Sequence, residues 1–351
     1  MFEYIKRYMK EFKPYKNGRW CYEDGILMKA IWDMYCVTND LDYKNFVIKY
    51  YDSMINEDGS IKNYNLEEFN IDNICPGIVL FDIYKETKEE KYLKAIGILR
   101  YQILMHPRNN QGSFYHKLKY ENQVWLDGIY MGLVFYKRYS EFANDNNILD
   151  DIKLQLNNVF HNLYDDNKKL FVHAYDESKQ MRWAGSDGKS KNVWSRACGW
   201  LAMAYVDMLG CNDEFNNEIK RYYNILFSGL VKHLNDGMLY QVVDKETSKG
   251  NYLETSGSAM FAYSILKAIR NELISDSNKK YAYLIYNTIK EKYFKYQDDN
   301  LVLIGGICEV AGLSEDRDGS EEYYYSEKKV SNEVKGIAPL IMLYSELLRL
   351  V

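Results

Sequence analysis

Two kinds of helical segment alternate along the chain, and they differ in where their apolar residues lie. In one kind, apolar residues cover nearly every face, which is typical of helices buried on all sides. These segments are GILMKAIWDMY from Gly25, GIVLFDIY from Gly77, GIYMGLVFY from Gly128, GWLAMAYVDML from Gly199, GSAMFAYSILKAI from Gly257 and GIAPLIMLYSELL from Gly336. The other kind has one apolar stripe and one charged face, as expected for an outer layer. Those segments are MFEYIKRYMKEF and residues 42–55, 90–105, 147–163, 213–232 and 277–294.

The alternation predicts an all-α fold in which six inner and six outer helices form an (α/α)6 barrel. The N-terminal helix completes the outer ring beside the last inner helix. An open α-solenoid is the competing arrangement, but solenoid repeats are usually shorter and more regular. We expect residues 1–351 to form a single catalytic domain.

The connections between helices predict where a functional site lies. Turns from an inner helix to the next outer helix are short, whereas the returns, roughly 56–74, 107–124, 164–198, 233–256 and 295–334, are long. Short extended pieces are expected in three of them, within GSFYHKLKY, KKLFVHAYD and DGMLYQVVD. Long ordered loops are usually functional. All returns lead to inner-helix N-termini, whose free N–H groups favour a ligand that carries a carboxylate.

Composition narrows the class of protein. A net charge of −5 without a cluster of Lys and Arg argues against a nucleic-acid partner. Six scattered cysteines without a CxxC pair predict free thiols in a reducing compartment. The chain lacks an apolar run of about 18 residues and its N-terminus lacks the apolar segment of a signal peptide, which together predict a cytoplasmic protein without a membrane partner.

Two carboxylates precede inner helices in consecutive repeats: Asp72 before Gly77, and Asp127 directly before Gly128. Aspartate is a preferred helix N-cap, so capping is the competing explanation for both. Trp125 beside Asp127 supplies apolar surface that disfavours an ionised carboxylate and so favours a proton-donating acid. Two acids on neighbouring helices also resemble the acid/base pairs of glycosidases.

Further candidates lie in the long loops and before the fourth inner helix. His116 and His173 fall in separate loops of one rim, with an ordinary surface position as the alternative. A zinc site is poorly supported because HExxH and Cys–His spacings are missing. In VWSRACGW, Arg196 between Trp194 and Trp200 is either held ready to pair with a carboxylate or is a surface arginine stacked on a core tryptophan. Additional aromatic walls are expected from Trp20, Tyr22 and Tyr323 to Tyr325.

The motifs together resemble the unsaturated rhamnogalacturonyl hydrolases of glycoside hydrolase family 105, relatives of the unsaturated glucuronyl hydrolases of family 88. The resemblance covers nearly the whole chain and is carried by the order of RWCYEDGILMKAIWDMY, DNICPG, VWLDGIYM, VWSRACGW, DGMLYQVVD, ETSGSAMFAYSILKAI and KGIAPLIM. It implies the (α/α)6 barrel and a substrate whose non-reducing end is a 4,5-unsaturated uronic acid left by a polysaccharide lyase. No metal or organic cofactor is implied, and the oligomeric state is open.

The resemblance also implies a reaction and site residues. The family's catalytic aspartate corresponds to Asp127, which protonates C4 and then accepts a proton from the water that adds at C5, with Asp72 as the second acid of the site. The candidate substrate-binding residues are Tyr22, His116, Trp125, His173, Trp194, Arg196 and Trp200. Three positions depart from the usual family pattern and are expected to bear on the subsite for the next sugar: Ala197, Cys198 and Leu239.

Rhamnogalacturonan fragments are the expected substrate, and three alternatives remain open. A family 88 enzyme would act on unsaturated glucuronyl residues of glycosaminoglycan fragments. Sugar 2-epimerases share the barrel, but they place several histidines at its centre. A non-catalytic helical binding protein would not need two acids in register with Trp and Arg on a single rim.

Overall fold

The computed structural model describes residues 1–210 and 212–350, and helices dominate it. The α-helices are α1 (Phe2–Glu11), α2 (Tyr22–Thr38), α3 (Leu41–Met54), α4 (Leu80–Thr87), α5 (Glu90–Met105), α6 (Leu126–Gly128), α7 (Val134–Ala143), α8 (Asn147–Leu163), α9 (Ser195–Asp207), α10 (Asp213–Leu230), α11 (Thr255–Arg270), α12 (Lys279–Tyr293), α13 (Glu321–Ser326) and α14 (Val334–Leu348). A 3-10 helix, Ile71–Val79, leads into α4, and a π-helical turn, Ile129–Leu133, joins α6 to α7. The cysteines among the described residues are free thiols, while the thiol predicted at Cys211 lies outside them.

The inner segments form a closed ring, which confirms the predicted barrel. Contacts run from α2 to the 3-10 helix before α4, on to the π turn before α7, then to α9, α11 and α14, and back to α2. The outer helices α3, α5, α8, α10 and α12 each pack on the inner helix that precedes them. Helix α1 completes the outer layer against α14, where the rings of Phe2 and Tyr344 meet edge to face at 5.4 Å. An open solenoid is thereby excluded.

Local sequence chemistry keeps the turns at one rim short. Helix α2 ends at Thr38, and the following cap residue Asn39 has a φ of 56°, in the left-handed region that asparagine tolerates. Asp40 follows and caps α3 by accepting a hydrogen bond from the Asp42 N–H. At the end of α7, Asn144 repeats the left-handed cap. We call this end of the barrel the plain rim.

Buried ion pairs close the barrel at the plain rim. Asp207, the last residue of α9, has a side chain that is only 2% exposed and lies 2.7 Å from Lys267 Nζ and 3.7 Å from Lys29 Nζ. Burial alone would raise the pKa of Asp207, but the two lysines lower this pKa to about 2. The carboxylate is therefore ionised and ties α9 to α11 and α2.

The long loops of the opposite rim carry short strands. In the described residues these pair antiparallel: β1 (Gln123–Trp125) with β4 (Ala174–Asp176), β2 (Tyr164–Asp165) with β3 (Leu170–Phe171), β5 (Phe294–Gln297) with β6 (Asn300–Ile304), and β7 (Ile307–Cys308) with β8 (Lys329–Val330). Of the predicted extended pieces, KKLFVHAYD contains β3 and β4, whereas GSFYHKLKY and DGMLYQVVD form only isolated bridges. The β1–β4 pair joins two loops that carry candidate site residues. None of the described helices is both long and apolar enough to cross a bilayer.

The glycines of the inner helices lie in close contact with neighbouring elements, and at some of them the nearest atom belongs to a backbone. The inner helices begin a few residues before the glycines with which the predicted apolar segments start, since α2 begins at Tyr22 and α11 at Thr255. Gly77 lies in the 3-10 helix rather than at the start of α4. A Cβ atom on Gly257 would lie 2.6 Å from the Ser195 carbonyl carbon, closer than real Cβ contacts allow. Close approach therefore explains this glycine better than helix initiation does.

We expect Gly257→Ala to lower the free energy of unfolding by about 1–3 kcal/mol, because the added methyl group overpacks a backbone contact between α9 and α11. Urea unfolding followed by circular dichroism measures the change. Gly97→Ala in α5 is the matched control: a Cβ there meets no atom within 4 Å. This substitution is expected to stabilise by about 0.5–1 kcal/mol. Equal stabilities of the two variants would contradict the close-packing explanation.

Candidate active site

A cleft of about 1050 Å³ opens on the rim that carries the long loops, as predicted for a functional site. Tyr22 contributes from the start of α2 and Asp72 from the 3-10 helix. His116, Trp125 and Asp127 contribute from the loop before α6 and from α6 itself. The structure thus brings five of the predicted site residues to one cavity.

Asp127 lies in the first turn of α6, but its carboxylate makes no capping hydrogen bond. Its Oδ2 atom lies 3.4 Å from His173 Nε2. Both atoms are buried, and neither makes a well-aligned hydrogen bond to any described residue. Since buried polar atoms are nearly always hydrogen-bonded, two facing atoms without well-aligned partners argue against a helix cap and mark a candidate functional site.

Asp72 has a different environment. Its carboxylate pairs with Lys117 Nζ at 2.7 Å and lies 3.7 Å from His116 Nε2, while the cap of the 3-10 helix is Asn70. Burial alone would raise the pKa of Asp72, but Lys117 and His116 hold this pKa below its ordinary value. Burial also lowers the pKa of His116 to about 4, so that imidazole is neutral at pH 7. Asp72 is therefore an anion beside a neutral histidine.

A stack of aromatic rings forms the wall next to Asp127. The rings of His116 and Trp125 are nearly parallel with centroids 4.5 Å apart, and Tyr120 stacks on Trp125 at 5.1 Å. Trp125 also packs in a small cluster with Ala174, Trp183 and Leu313, separate from the main core. This cluster holds the Trp125 ring, and with it the wall, in place.

His173 lies beneath the cleft rather than on its surface. The imidazole is fully buried, and its Nδ1 lies 2.7 Å from the Tyr324 hydroxyl. The Trp194 ring is tilted against the imidazole with centroids 4.7 Å apart, and the edge of Trp125 lies at 5.3 Å. His173 is therefore not the surface residue of the alternative explanation, and it reaches the cleft only through Asp127.

Arg196 and Trp200 also lie behind the cleft wall. The Arg196 guanidinium stacks on the Trp194 ring at 4.7 Å, as predicted. Its Nη1 donates to Ser256 Oγ and to the Cys308 carbonyl. The side chain is buried, so Arg196 is not the surface arginine of the alternative explanation. Trp200 meets the edge of the Tyr22 ring at 6.1 Å. The three divergent positions do not line the cleft either, and all are fully buried: Ala197, Cys198 and Leu239.

Sequence reasoning missed three residues of this site. Lys117 directly follows His116 in the motif FYHK, but a single rim lysine gives no signal that it pairs with Asp72. Tyr120 lies in the same loop and was not distinguished from the many tyrosines that fill helix interfaces. Tyr324 was expected only as part of an aromatic wall, whereas its hydroxyl contacts His173.

Comparison with known proteins places this fold and cleft in a class. The structure of a family 105 glycoside hydrolase from C. acetobutylicum superposes with a TM-score of 0.94, at 38% identity over 99% of each chain. The unsaturated glucuronyl hydrolase of Bacillus sp. GL1 shares the fold, with a TM-score of 0.66 and 13% identity over 93% of this chain and 85% of that one. The unsaturated rhamnogalacturonyl hydrolase YesR of Bacillus subtilis is 24% identical over 259 residues, 71% of each chain.

The shared fold and the extent of these matches define a glycoside hydrolase. A family model described as Glycosyl Hydrolase Family 88 matches residues 2–351. The chain belongs to this family, and within it the chain is similar to family 105 enzymes over its full length. A sugar 2-epimerase and a non-catalytic binding protein are thereby set aside.

The Asp72–Lys117 pair leads to a prediction about stability and pH. Lys117→Gln leaves a buried carboxylate uncompensated, so the free energy of unfolding at pH 7 is expected to fall by about 1–3 kcal/mol. Because the folded-state pKa of Asp72 is depressed, this loss is full above the ordinary carboxyl pKa of about 4 and shrinks as pH falls through the depressed value.

Urea titrations of the wild type and the variant at several pH values measure this difference. The control is Lys119→Gln: Lys119 lines the same cleft, is exposed and has no ion-pair partner among the described residues. It is expected to change stability by less than about 0.5 kcal/mol. If the loss of unfolding free energy in Lys117→Gln does not depend on pH, the ion pair is ruled out as its cause.

Proposed function

We propose that this enzyme, acting as a single catalytic domain, releases the 4,5-unsaturated uronic acid from lyase-generated oligosaccharides by hydrating the C4=C5 double bond. The observation that carries the proposal is the Asp127 carboxylate, which lines the cleft and whose buried Oδ2 faces His173, with no lysine or arginine beside it among the described residues. Relatives described as unsaturated rhamnogalacturonyl and unsaturated glucuronyl hydrolases support the same substrate end group.

The reaction needs one group that donates and then accepts a proton. Asp127 in its acid form protonates C4, and the positive charge that develops at C5 is shared with the ring oxygen. Water adds at C5 and returns a proton to the Asp127 carboxylate. The C5 hemiketal opens to a 5-keto group, and the hemiacetal left at C1 then expels the remaining sugar. The fixed anion at Asp72 supplies negative potential near this developing charge.

The walls of the cleft suit an anionic sugar. Tyr22 and Tyr120 line the cleft with partly exposed rings, which gives flat surfaces for sugar stacking. Two cationic side chains on the walls, Lys119 and Arg317, have no ion-pair partner among the described residues, and they favour a ligand that carries a carboxylate.

Asp127→Asn is expected to lower kcat by roughly 10²- to 10⁴-fold, because it removes the general acid/base. The assay follows the ultraviolet absorbance of the conjugated enol ether, which disappears on hydration, with an unsaturated rhamnogalacturonan disaccharide. Asp213→Asn makes the same change in the first turn of α10 at the plain rim and is expected to leave kcat unchanged. Wild-type turnover that persists in Asp127→Asn would exclude Asp127 as the acid/base.

The substrate class is tested by the order of kcat/KM values. We expect kcat/KM to be higher for the unsaturated rhamnogalacturonan disaccharide than for unsaturated glucuronyl disaccharides from glycosaminoglycans, since the 38% identical structural relative is a family 105 enzyme. The reverse order would favour the family 88 role. Failure to consume any unsaturated uronyl substrate would refute the hydration proposal as a whole. The cytoplasmic location remains a prediction.

A further inference from the structure

Each ring nitrogen of His173 faces a single polar atom. Nδ1 lies 2.7 Å from the Tyr324 hydroxyl, and Nε2 lies 3.4 Å from Asp127 Oδ2. His173 and Tyr324 are both fully buried, so water does not compete for either contact. The imidazole thus connects a tyrosine of α13 to the carboxylate at the cleft.

We propose that Tyr324 is a positioning residue that holds His173 in its Nε2–H tautomer, so that the imidazole donates to Asp127 Oδ2 and the reacting proton is confined to Oδ1. This inference rests on the proposed role of Asp127 as the acid/base. It adds to that role a residue far along the chain, which does not line the cleft.

The tautomer follows from the number of hydrogen bonds that each arrangement makes. In the described part of the chain, the Tyr324 hydroxyl has no partner besides His173, so its proton must point at Nδ1 to be satisfied. With Nδ1 accepting, the ring proton lies on Nε2 and points at Asp127. The opposite tautomer leaves the buried hydroxyl proton without an acceptor and sets the Nε2 lone pair against the carboxylate.

The surrounding contacts prevent the ring and the hydroxyl from moving apart. The amide of Gln241 donates from Nε2 to the Tyr324 carbonyl at 3.2 Å and accepts from Trp194 Nε1 at 3.1 Å. Trp194 in turn packs against the His173 ring. One buried amide therefore fixes the tyrosine backbone and the aromatic surface on which the imidazole lies.

A fixed Nε2–H gives the two oxygens of Asp127 different roles: Oδ2 faces the imidazole, and Oδ1 transfers the proton. Oδ2 is buried although the side chain as a whole is 16% exposed, so the part presented to the cleft does not include Oδ2. The Oδ1–H proton passes to C4, and Oδ1 later takes a proton from the attacking water. His173 keeps its proton throughout. The 3.4 Å contact between the Nε2–H and Oδ2 tightens into a hydrogen bond as Asp127 becomes a carboxylate, which stabilises the charged state formed during the reaction.

The kinetic test is Tyr324→Phe, which removes one oxygen and keeps the ring. We expect kcat to fall roughly 10- to 100-fold, as for other groups that orient an imidazole, while KM changes less than about twofold because the ring does not touch substrate. Tyr223→Phe is the matched control, since the buried Tyr223 hydroxyl contacts Ser264 Oγ between two helices and the residue does not line the cleft. Its kcat and KM are expected to equal those of the wild type, and equal melting curves of the two variants exclude a folding defect.

A second measurement reads the tautomer without any substrate. The chain has five histidines, so ¹⁵N-histidine labelling gives a resolvable spectrum in which His173→Gln identifies the His173 signals. Near pH 8, above the ordinary imidazole pKa of about 6.5, we expect Nε2 protonated and Nδ1 bare in the wild type, and a mixture in Tyr324→Phe. A protonated Nδ1 in the wild type, or wild-type kcat in Tyr324→Phe, would overturn the inference. An inactive wild type with the expected tautomer would instead count against the proposed function alone.

Discussion

A line of backbone hydrogen bonds holds the candidate site together. The Ile71 N–H donates to the His116 carbonyl at 3.1 Å, and the His116 N–H donates to the Gln123 carbonyl at 2.8 Å. At the far end of β1, the Leu126 N–H donates to the His173 carbonyl at 3.1 Å. Three separate loops are joined in this way. Their side chains converge because the backbones that carry them are paired, and backbone pairing does not depend on which side chains they carry.

The two acids of the cleft show how such a framework assigns different properties to identical groups. Asp72 and Asp127 both lie at the start of inner elements, yet only Asp72 has a cation within ion-pair distance. Asp72 is therefore held as an anion. Asp127 faces only a histidine, and no lysine or arginine among the described residues pairs with its carboxylate. Environment, rather than residue type, separates the fixed charge from the group suited to proton transfer.

The fold was predictable because its signal is local. Buried and amphipathic helices differ in the periodicity of their apolar residues. The positions of the long loops identified the rim that carries the cleft before any contact was known. Asp127 and Asp72 were found through their positions before inner helices. The contact between His173 and Tyr324 joins residues separated by 151 positions, so no local pattern reports it. Likewise, the sequence places Trp194, Arg196 and Trp200 near the rim but does not tell that they lie behind its wall, since side-chain direction depends on packing.

The ion pairs of Asp207 at the plain rim affect how a ligand can enter and leave the barrel. Lysines from α2 and α11 converge on this carboxylate and tie the inner helices together at that end. The long loops leave the other end open, and the cleft is reached from there. A ligand then enters and leaves the cleft through the same opening. The part of a bound molecule nearest that opening has to leave before the deeper part can follow. Turnover in a barrel of this shape therefore depends on the order in which the products leave as well as on the chemical step.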